Sequence, residues 1–279
     1  MTRGSYRRRR LLEQVMFGAT GLAAAATLGV LFFLLAYIAY QGASAVSPSF
    51  FLNLPTPVGE TGGGMANAIV GTLITVGIGA AIAVPVGVAA GVYLSEYGRE
   101  RLAGVVRYTA DVLAGAPSIV VGVAVFGLLV VPMGHFSALA GGVALAVLML
   151  PTVVRATEEV VRLVPASYRQ AALALGAPGW IATLRVVLPA ARAGVTTAAL
   201  LAVARASGET APLLFTALGN RFWSVRVDQP IATLPVMIYD YARAPYPDWN
   251  SQAWTGALTL LVLVTVLSAL MRLATRSIR

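Results

Sequence analysis

The chain has 279 residues, of which 58% are apolar and only 11% are charged, whereas roughly a quarter of the residues of a soluble domain are charged. A soluble fold cannot cover so much apolar surface with polar groups, so the composition excludes a soluble enzyme and predicts an all-α polytopic membrane protein. The net charge of +9 comes from arginine, and most arginines flank apolar segments, which indicates membrane orientation rather than nucleic-acid binding.

The residue types that the chain lacks narrow its chemistry further. It has no cysteine, which excludes disulfides, thiolate metal sites and a cysteine nucleophile. Its single histidine, His135, cannot form a metal site by itself. It has no lysine, which the Walker A phosphate loop requires. We therefore expect no catalytic residue, no metal site and no bound cofactor in this chain.

Six apolar segments are long enough to cross a bilayer, which takes about 20 residues. The predicted spans are 15–40, 67–94, 105–131, 137–154, 192–217 and 254–272. The first span follows four arginines and precedes Ala43-Ser44-Ala45, which resembles a signal-peptide cleavage site. Its apolar run exceeds the roughly 7–15 residues of a signal peptide, however, so we interpret it as an uncleaved anchor.

The arginines are distributed unevenly between the two sides of this predicted topology. With a cytoplasmic N-terminus and alternating spans, three arginines (Arg221, Arg226 and Arg243) face outwards and Arg205 lies within a span. The other sixteen face the cytoplasm: Arg3, Arg7, Arg8, Arg9, Arg10, Arg99, Arg101, Arg107, Arg155, Arg162, Arg169, Arg185, Arg192, Arg272, Arg276 and Arg279. This asymmetry predicts that both termini are cytoplasmic.

Two long connections, 41–66 and 218–253, are predicted to lie outside. The second carries five large aromatic residues, which suit either the membrane–water interface or a docking surface for an outer partner. They are Trp223, Tyr239, Tyr241, Tyr246 and Trp249. We divide the chain into 1–66 (tail, first span and outer loop), a transmembrane domain 67–272 that contains the cytoplasmic loop 155–191, and a cytoplasmic tail 273–279.

The loop 155–191 is the only long cytoplasmic connection. Two pairs of opposite charges with helical spacing predict that the fourth span continues as a helix into water. These pairs are Arg155–Glu159 and Glu158–Arg162. We expect the helix to end at Val164-Pro165, because the residue before proline disfavours helical geometry.

A second, short helix is predicted within this loop. Ser167 followed by Gln170 fits a capping box at its start, and Gly176 is placed to cap its end near Leu175. One face of this helix combines small and apolar residues, which would pack either on the chain's own spans or on a partner. These residues are Tyr168, Ala171, Ala172 and Leu175.

The spacing of this loop resembles that of a known family. Gln170-Ala171-Ala172, Gly176, Ile181 and Leu188-Pro189 are similar to the EAA loop of ABC-importer permeases. The resemblance implies a coupling helix that docks in a cleft of a cytoplasmic ATPase. The residues that it assigns to this contact are Gln170, Ala171, Ala172, Leu175 and Gly176. Gln170 departs from the pattern, since the family usually has glutamate there, and it keeps a hydrogen-bond acceptor without the charge.

Three further motifs resemble the permease subunits of phosphate importers over spans two to six. They are Gly115–Val120, Arg205–Leu214 and Thr233–Val236. The resemblance implies the type I ABC-importer permease architecture and a permease subunit of an ATP-driven inorganic phosphate importer in the bacterial plasma membrane. It also implies four kinds of partner or surroundings: a second related permease chain, two cytoplasmic ATPase subunits that bind the ATP, an extracytoplasmic phosphate-binding protein and the lipid bilayer.

Charged residues inside predicted spans are costly and usually functional. Arg205 and Glu209 are four residues apart in the fifth span, which predicts one helix face. They form either a structural pair or a phosphate site, in which arginine binds phosphate oxygens and the carboxylate accepts a hydrogen bond from a P–OH group that sulfate lacks. Asp111 follows Arg107 by four residues, and an interfacial ion pair is the simpler interpretation of these two.

Prolines inside spans predict breaks in helical hydrogen bonding, as transport paths often have. The prolines in such positions are Pro85, Pro117 and Pro212. Pro212 follows Glu209 by three residues, and Gly208 directly precedes Glu209. We therefore predict a substrate path that consists of Arg205, Glu209, Thr210, Pro212 and Ser118.

Two other functions compete with this interpretation. One is an importer permease for a different solute, such as molybdate or a small organic compound; Glu209 argues against a fully deprotonated oxyanion. The other is a secondary transporter or channel, against which the loop from Gln170 to Pro189 argues. A membrane-bound enzyme is disfavoured because no nucleophile–base pair is evident in the sequence.

Overall fold

The computed structural model describes residues 3–60, 62–98 and 101–276. Two parts of the sequence predictions lie outside the described residues: Arg99, and the last three residues of the predicted tail 273–279, which include Arg279. Within them the regular structure is helical. The helices are α1 (Arg3–Ala43), α2 (Pro48–Leu52), α3 (Ala66–Glu96), α4 (Arg101–Gly115), α5 (Ser118–Val125), α6 (Val131–Met133), α7 (Ala138–Arg162), α8 (Ala166–Ala174), α9 (Gly179–Ala182), α10 (Leu188–Ala206), α11 (Ala211–Thr216), α12 (Leu234–Arg243) and α13 (Pro247–Arg276). The π-helical turns Phe126–Val130 and Thr183–Val187 join α5 to α6 and α9 to α10.

The predicted all-α, multi-pass fold is confirmed. Five helical segments of the described chain are long and apolar enough to cross a membrane. They are Arg9–Ala43, Ala66–Glu96, Ala138–Arg162, Gly179–Ala206 and Pro247–Leu270. The remaining predicted span, 105–131, is a pair of helices bent by 107° at the connection between Gly115 and Ser118.

The break predicted at Pro117 is therefore confirmed, and it bends the segment 105–131 sharply. Pro117 precedes α5 with φ −59° and ψ 134°, an extended geometry, and it has no N–H with which to continue α4. Helix α4 instead crosses α7, and its Ala103 packs with Leu94 of α3 and Val154 of α7. The apolar segment that follows the bend, Ser118–Met133, rises about 24 Å at about 1.5 Å per residue.

The fifth predicted span, 192–217, is displaced in the structure. Its helical segment begins at Gly179, inside the predicted cytoplasmic loop, and ends at Ala206. Pro189 lies where the π-helical turn Thr183–Val187 passes into α10, and the helical segment continues through it. The loop predicted for 155–191 is correspondingly shorter, because α7 extends to Arg162.

Helices α3 and α7 form the centre of the bundle and approach each other through glycine. A Cβ atom added to Gly91 would lie 2.6 Å from the Cβ of Thr157, and one added to Gly87 would lie 2.8 Å from the Cβ of Val153. Small residues allow such close backbone packing between membrane helices. Helix α3 remains continuous through Pro85, so the backbone hydrogen bond that this proline cannot make does not end the helix.

The two long connections predicted to lie outside meet at one end of the bundle. The side-chain amide of Gln252 donates to the carbonyl of Gly62 at 2.8 Å, and that of Asn67 donates to the carbonyl of Asn220 at 2.7 Å. We call this the loop end, and we call the opposite end, where α3 and α7 finish, the α8 end. Helix α1 is attached beside α13, where Thr255 donates to the carbonyl of Gly42 at 2.9 Å.

Candidate translocation site and coupling helix

The two proline-containing motifs fold into short helices that pack against each other. Helix α5 follows the break at Pro117, and α11 follows the break formed by Ser207–Thr210. A Cβ atom added to Gly122 of α5 would lie only 2.6 Å from the Cα of Pro212 in α11. The sequence separates these motifs widely, but the fold places the two helices in backbone contact that glycine permits.

Both breaks lie near the middle of the bundle. Gly194 of α10 lies against Val160 of α7, and Ala206, the last residue of α10, is twelve residues further on, about 18 Å at about 1.5 Å per residue. Ala206 therefore lies well inside the length of α7, and the apolar part of a bilayer is about 30 Å thick. Ala116, beside the other break, packs with the cluster that contains Ala144 of α7.

Arg205 and Glu209 do not share a helix face, contrary to the prediction from their spacing. Helix α10 ends at Ala206, so Arg205 is in its last turn and Glu209 is in the turn that follows. The side chain of Arg205 is exposed and Glu209 is half-buried. Within the described part of the chain, neither side chain forms an ion pair or a hydrogen bond.

The other residues predicted for the path lie at the starts of the two short helices. Ser118 is the half-buried first residue of α5. Thr210 precedes α11, and its backbone carbonyl accepts hydrogen bonds from the N–H groups of Leu213 and Leu214 at 3.1 and 3.2 Å. Pro212 is buried in the first turn of α11, so it begins a helix rather than kinking α10. No hydrogen bond between the described side chains joins Ser118 or Thr210 to Arg205 or Glu209.

The predicted coupling helix exists as α8, with a different start. Pro165, with φ −56°, precedes it, and no side chain caps its N-terminus, so the predicted Ser167–Gln170 capping box does not form. The end is as predicted: Gly176 has φ +84°, and the N–H of Ala177 donates to the carbonyl of Ala172 at 3.1 Å. This glycine-dependent cap reverses the chain after the helix.

The small and apolar face of α8 is divided between the chain itself and its surface. Ala172 is buried against neighbouring residues of the chain, whereas Ala171 and Gln170 are exposed. Leu175 is 89% exposed and Tyr168 is 51% exposed. The exposed part lines a shallow apolar groove together with Val186. Tyr168, Ala171 and Leu175 adjoin one another in this groove, and a contiguous exposed apolar surface is typical of a site for a partner.

Where α4 crosses α7, a cluster of charges surrounds one buried carboxylate, and the sequence predicted only part of this cluster. Glu158 is 1% exposed and binds three arginines, Arg107 at 2.7 Å, Arg155 at 3.1 Å and Arg162 at 2.5 Å. Arg155 also binds Asp111 at 3.0 Å. The Glu158–Arg162 pair is confirmed. The predicted Arg107–Asp111 and Arg155–Glu159 pairs are wrong, because the crossing of α4 over α7 offers each arginine a closer carboxylate.

A second missed contact ties α8 to the end of α3. The Nε of Arg169 donates to both carboxylate oxygens of Glu96 at 3.0 and 2.9 Å, and its Nη2 also bonds to Glu96. These hydrogen bonds raise the pKa of Arg169 above its usual value. The two residues are 73 positions apart, and no local spacing in the sequence indicates that they meet.

A helical membrane bundle with paired breaks at mid-depth and a protruding short helix is the architecture of a transport permease. The family model described as "Binding-protein-dependent transport system inner membrane component" matches residues 83–279. The protein named "Phosphate transport system permease protein PstA" from Haemophilus influenzae is 44% identical over 95% of this chain and 94% of its own length. Its namesake from Yersinia pestis is 46% identical over 83% of this chain and 79% of its own length. The chain therefore belongs to the PstA phosphate transport permeases within this inner membrane family.

The fold is also similar to that of a solved transporter. A structure titled "Inward facing conformations of the MetNI methionine ABC transporter" has a TM-score of 0.60 and 20% identity, and the match covers 77% of this chain and 94% of that chain. A second crystal form of the same transporter has a TM-score of 0.53 and 23% identity. This likeness, together with the family match, confirms the expected type I ABC-importer permease architecture.

Proposed function

We propose that this chain is the permease subunit of an ATP-driven importer of inorganic phosphate and forms half of its translocation path. The observation that carries the proposal is the surface at mid-depth where Arg205 and Glu209 lie without a described intramolecular partner. An arginine that faces lipid at this depth costs at least about 2.5 kcal/mol. We therefore assign this surface to a water-filled path beside a second, related permease chain.

The chemistry of this surface suits phosphate. The guanidinium of Arg205 offers a planar pair of donors to phosphate oxygens. The carboxylate of Glu209 accepts a hydrogen bond from the P–OH group that phosphate retains near neutral pH, and sulfate has no such donor. The hydroxyl groups of Ser118 and Thr210, at the starts of α5 and α11, add donors next to the paired breaks. Pro212 fixes the direction in which α11 leaves this surface.

The partners follow from the two ends of the molecule. The exposed face of α8, with Gln170, Ala171, Leu175 and Gly176, docks on one of two cytoplasmic ATPase subunits, which bind the ATP. Ala172 supports this face from within the chain. The loop end receives an extracytoplasmic phosphate-binding protein. This arrangement requires both termini and the α8 end to be cytoplasmic in a bacterial inner membrane, as the arginine asymmetry predicts.

The orientation is tested by adding single cysteines to this cysteine-free chain. Val58, at the loop end, and Leu175, at the α8 end, are both exposed. An impermeant thiol reagent applied to intact cells is expected to label Val58→Cys and to leave Leu175→Cys unlabelled until the membrane is opened. Labelling of Leu175→Cys alone in intact cells would invert the proposed topology.

Transport is tested in vesicles that contain this chain, the second permease chain and the ATPase subunits, with the binding protein supplied outside. Uptake of radioactive phosphate is expected to require ATP, to be inhibited by arsenate, which also carries a proton near neutral pH, and to resist sulfate. ATP-dependent uptake of another solute with no uptake of phosphate would contradict the proposed substrate. Phosphate uptake without any ATPase subunit would contradict the proposed coupling.

A further inference from the structure

Helix α8 is held to the rest of the chain by little apolar packing. Ala172 is its only buried residue among those described in the helix. Leu173 and Tyr168 are each about half exposed. Burial of apolar area usually fixes one helix on another. The single buried methyl group of Ala172 is too small to make α8 move as one body with α3 and α7.

Arg169 attaches α8 in another way. Besides its bonds to Glu96, its Nη1 donates to the carbonyl of Val164 at 2.9 Å and its Nη2 donates to the carbonyl of Val161 at 3.2 Å. All three guanidinium nitrogens are therefore engaged. Glu96 is the last residue of α3, Val161 is in the last turn of α7, and Val164 lies two residues beyond the end of α7. One side chain of α8 thus holds the ends of both central helices.

The groups that Arg169 binds are themselves firmly placed. Val161 and Val164 are buried in a cluster with Val187, which precedes α10. The Glu96 side chain is 10% exposed and that of Arg169 is 25% exposed, so the pair is shielded from water more than an ordinary surface ion pair is. Arginine–carboxylate pairs of this forked geometry are strong and directional. A displacement of α8 is therefore transmitted to the ends of α3 and α7 through these hydrogen bonds more than through apolar contact.

We infer that Arg169 is a positioning residue that transmits the movement of α8 to α3 and α7, and through them to the breaks at Pro117 and Ser207–Thr210. The inference rests on the proposed function, in which α8 docks on the ATPase. Arg169 contacts neither the solute nor the nucleotide in this role. Lysine cannot replace it, because one ammonium group cannot bind the carboxylate and two carbonyl groups in the same fixed geometry.

The test uses the complete complex in vesicles and measures the ATP hydrolysed for each phosphate taken up. Arg169→Ala is expected to keep the complex assembled and hydrolysing ATP while this ratio rises about tenfold, and Arg169→Lys is expected to give a smaller rise. Arg101→Ala is the matched control, because Arg101 is an exposed arginine near the end of α3 with no described hydrogen bond or ion pair. It is expected to leave the ratio unchanged.

Two further measurements separate transmission from folding. In Arg169→Ala, amide hydrogen exchange within 166–174 is expected to accelerate about tenfold, while exchange in the middle of α3 is expected to stay unchanged. This measurement does not depend on transport of any solute. In the double variant Arg169→Cys with Glu96→Cys, a short bifunctional thiol cross-linker is expected to restore the low ratio, since it replaces the lost attachment by a covalent one. Rescue of the ratio at an unchanged amount of assembled complex would assign the pair to transmission rather than to folding.

Failure of the proposed function and failure of the role of Arg169 give different results. If the unaltered complex takes up no phosphate, the proposed function fails, and amide exchange still tests separately whether Arg169 holds α8. If it takes up phosphate and Arg169→Ala does so with an unchanged ratio, the inference is overturned. Unchanged exchange within 166–174 also overturns it. Loss of the chain from the membrane in both Arg169→Ala and Glu96→Gln assigns the pair to folding and overturns it as well.

Discussion

The charged residues of the α8 end and those at mid-depth are in opposite situations. At the α8 end, Glu158 is bound by three arginines and Glu96 is bound by Arg169, so each of these buried or half-buried carboxylates has a partner within the chain. At mid-depth, Arg205 and Glu209 have none among the described residues. The charges of the α8 end therefore connect helices of this chain to one another, whereas we propose that those at mid-depth serve a group outside the chain.

The free energy of burying a charge explains why the two groups of residues differ. A buried carboxylate such as Glu158 is tolerated only when charged partners and hydrogen bonds compensate its loss of water. Removing one partner is more costly than replacing the whole cluster by apolar residues, because it leaves an uncompensated charge. Arg205 has no such compensation in the described chain, so it must obtain it from water, from a second chain or from the transported anion.

The largest effect is expected at the docking surface of the α8 end. Ala171→Arg places a charge on the exposed face of α8 that we assign to the ATPase, where burial of an unpaired charge costs about 3–5 kcal/mol. We expect at least a 100-fold loss of ATP-driven uptake and loss of the ATPase on purification. Ala166→Arg, exposed on roughly the opposite side of α8, is the matched control and should retain both. Full uptake by Ala171→Arg would place the docking surface elsewhere.

The next largest effect is expected at mid-depth. Arg205→Lys retains the charge but loses the forked donor, and hydrogen bonds to charged groups contribute about 1.5–3 kcal/mol each. Phosphate uptake should fall about 10- to 100-fold at an unchanged amount of protein in the membrane. Uptake assays at several phosphate concentrations measure this directly. Uptake within twofold of the unaltered chain would mean that Arg205 does not contact the anion.

The contact between the two short helices is expected to give an intermediate effect. Gly122→Ala inserts a methyl group 2.6 Å from the Cα of Pro212, and overpacking of this kind typically costs about 1–3 kcal/mol. Uptake should fall about tenfold as α5 and α11 separate. Gly127→Ala is the matched control, because nothing lies within 4 Å of its added atom. Equal uptake by both variants would show that the helix pair does not shape the path.

The smallest change in uptake is expected for Glu209→Gln. The amide still offers a carbonyl oxygen to the P–OH group, so phosphate uptake should fall only about threefold, within the range of one weakened hydrogen bond. Discrimination against sulfate should weaken more, because the amide N–H groups can donate to it. Competition by sulfate in the uptake assay measures this. Selectivity that remains at the level of the unaltered chain would exclude Glu209 from solute recognition.

Local patterns predicted the local features of this fold. Apolar length predicted the crossing helices, and Gly176 predicted the end of α8, because both depend on residues close in sequence. The prolines show the limit of this reasoning. Pro117 ends a helix, whereas Pro85 lies inside a continuous one whose neighbouring glycines pack closely on α7. The sequence contains both prolines in apolar surroundings, and tertiary packing decides between them.

The charge pairs show the same limit. Glu158–Arg162 was predictable, since the two residues are one helical turn apart. Arg107–Glu158 was not, because the partners are 51 residues apart and meet only where α4 turns across α7. The proximity of Arg205 and Glu209 in sequence was misleading for the opposite reason: the helix ends between them. The residues of the candidate path were therefore named from motifs, but their surroundings depend on the fold.

The most direct test of the account exchanges the two charges at mid-depth. Arg205 and Glu209 do not pair in this structure, so a purely structural role requires that they pair in another state of the transporter. In that case the double variant Arg205→Glu with Glu209→Arg would form the same pair with the charges reversed and would restore transport. If they face the anion, the exchange places the carboxylate against phosphate oxygens and the guanidinium against the P–OH group. We expect the double variant to reach the membrane with its ATPase and to take up no phosphate above background. Normal phosphate uptake by this variant would contradict the proposed site.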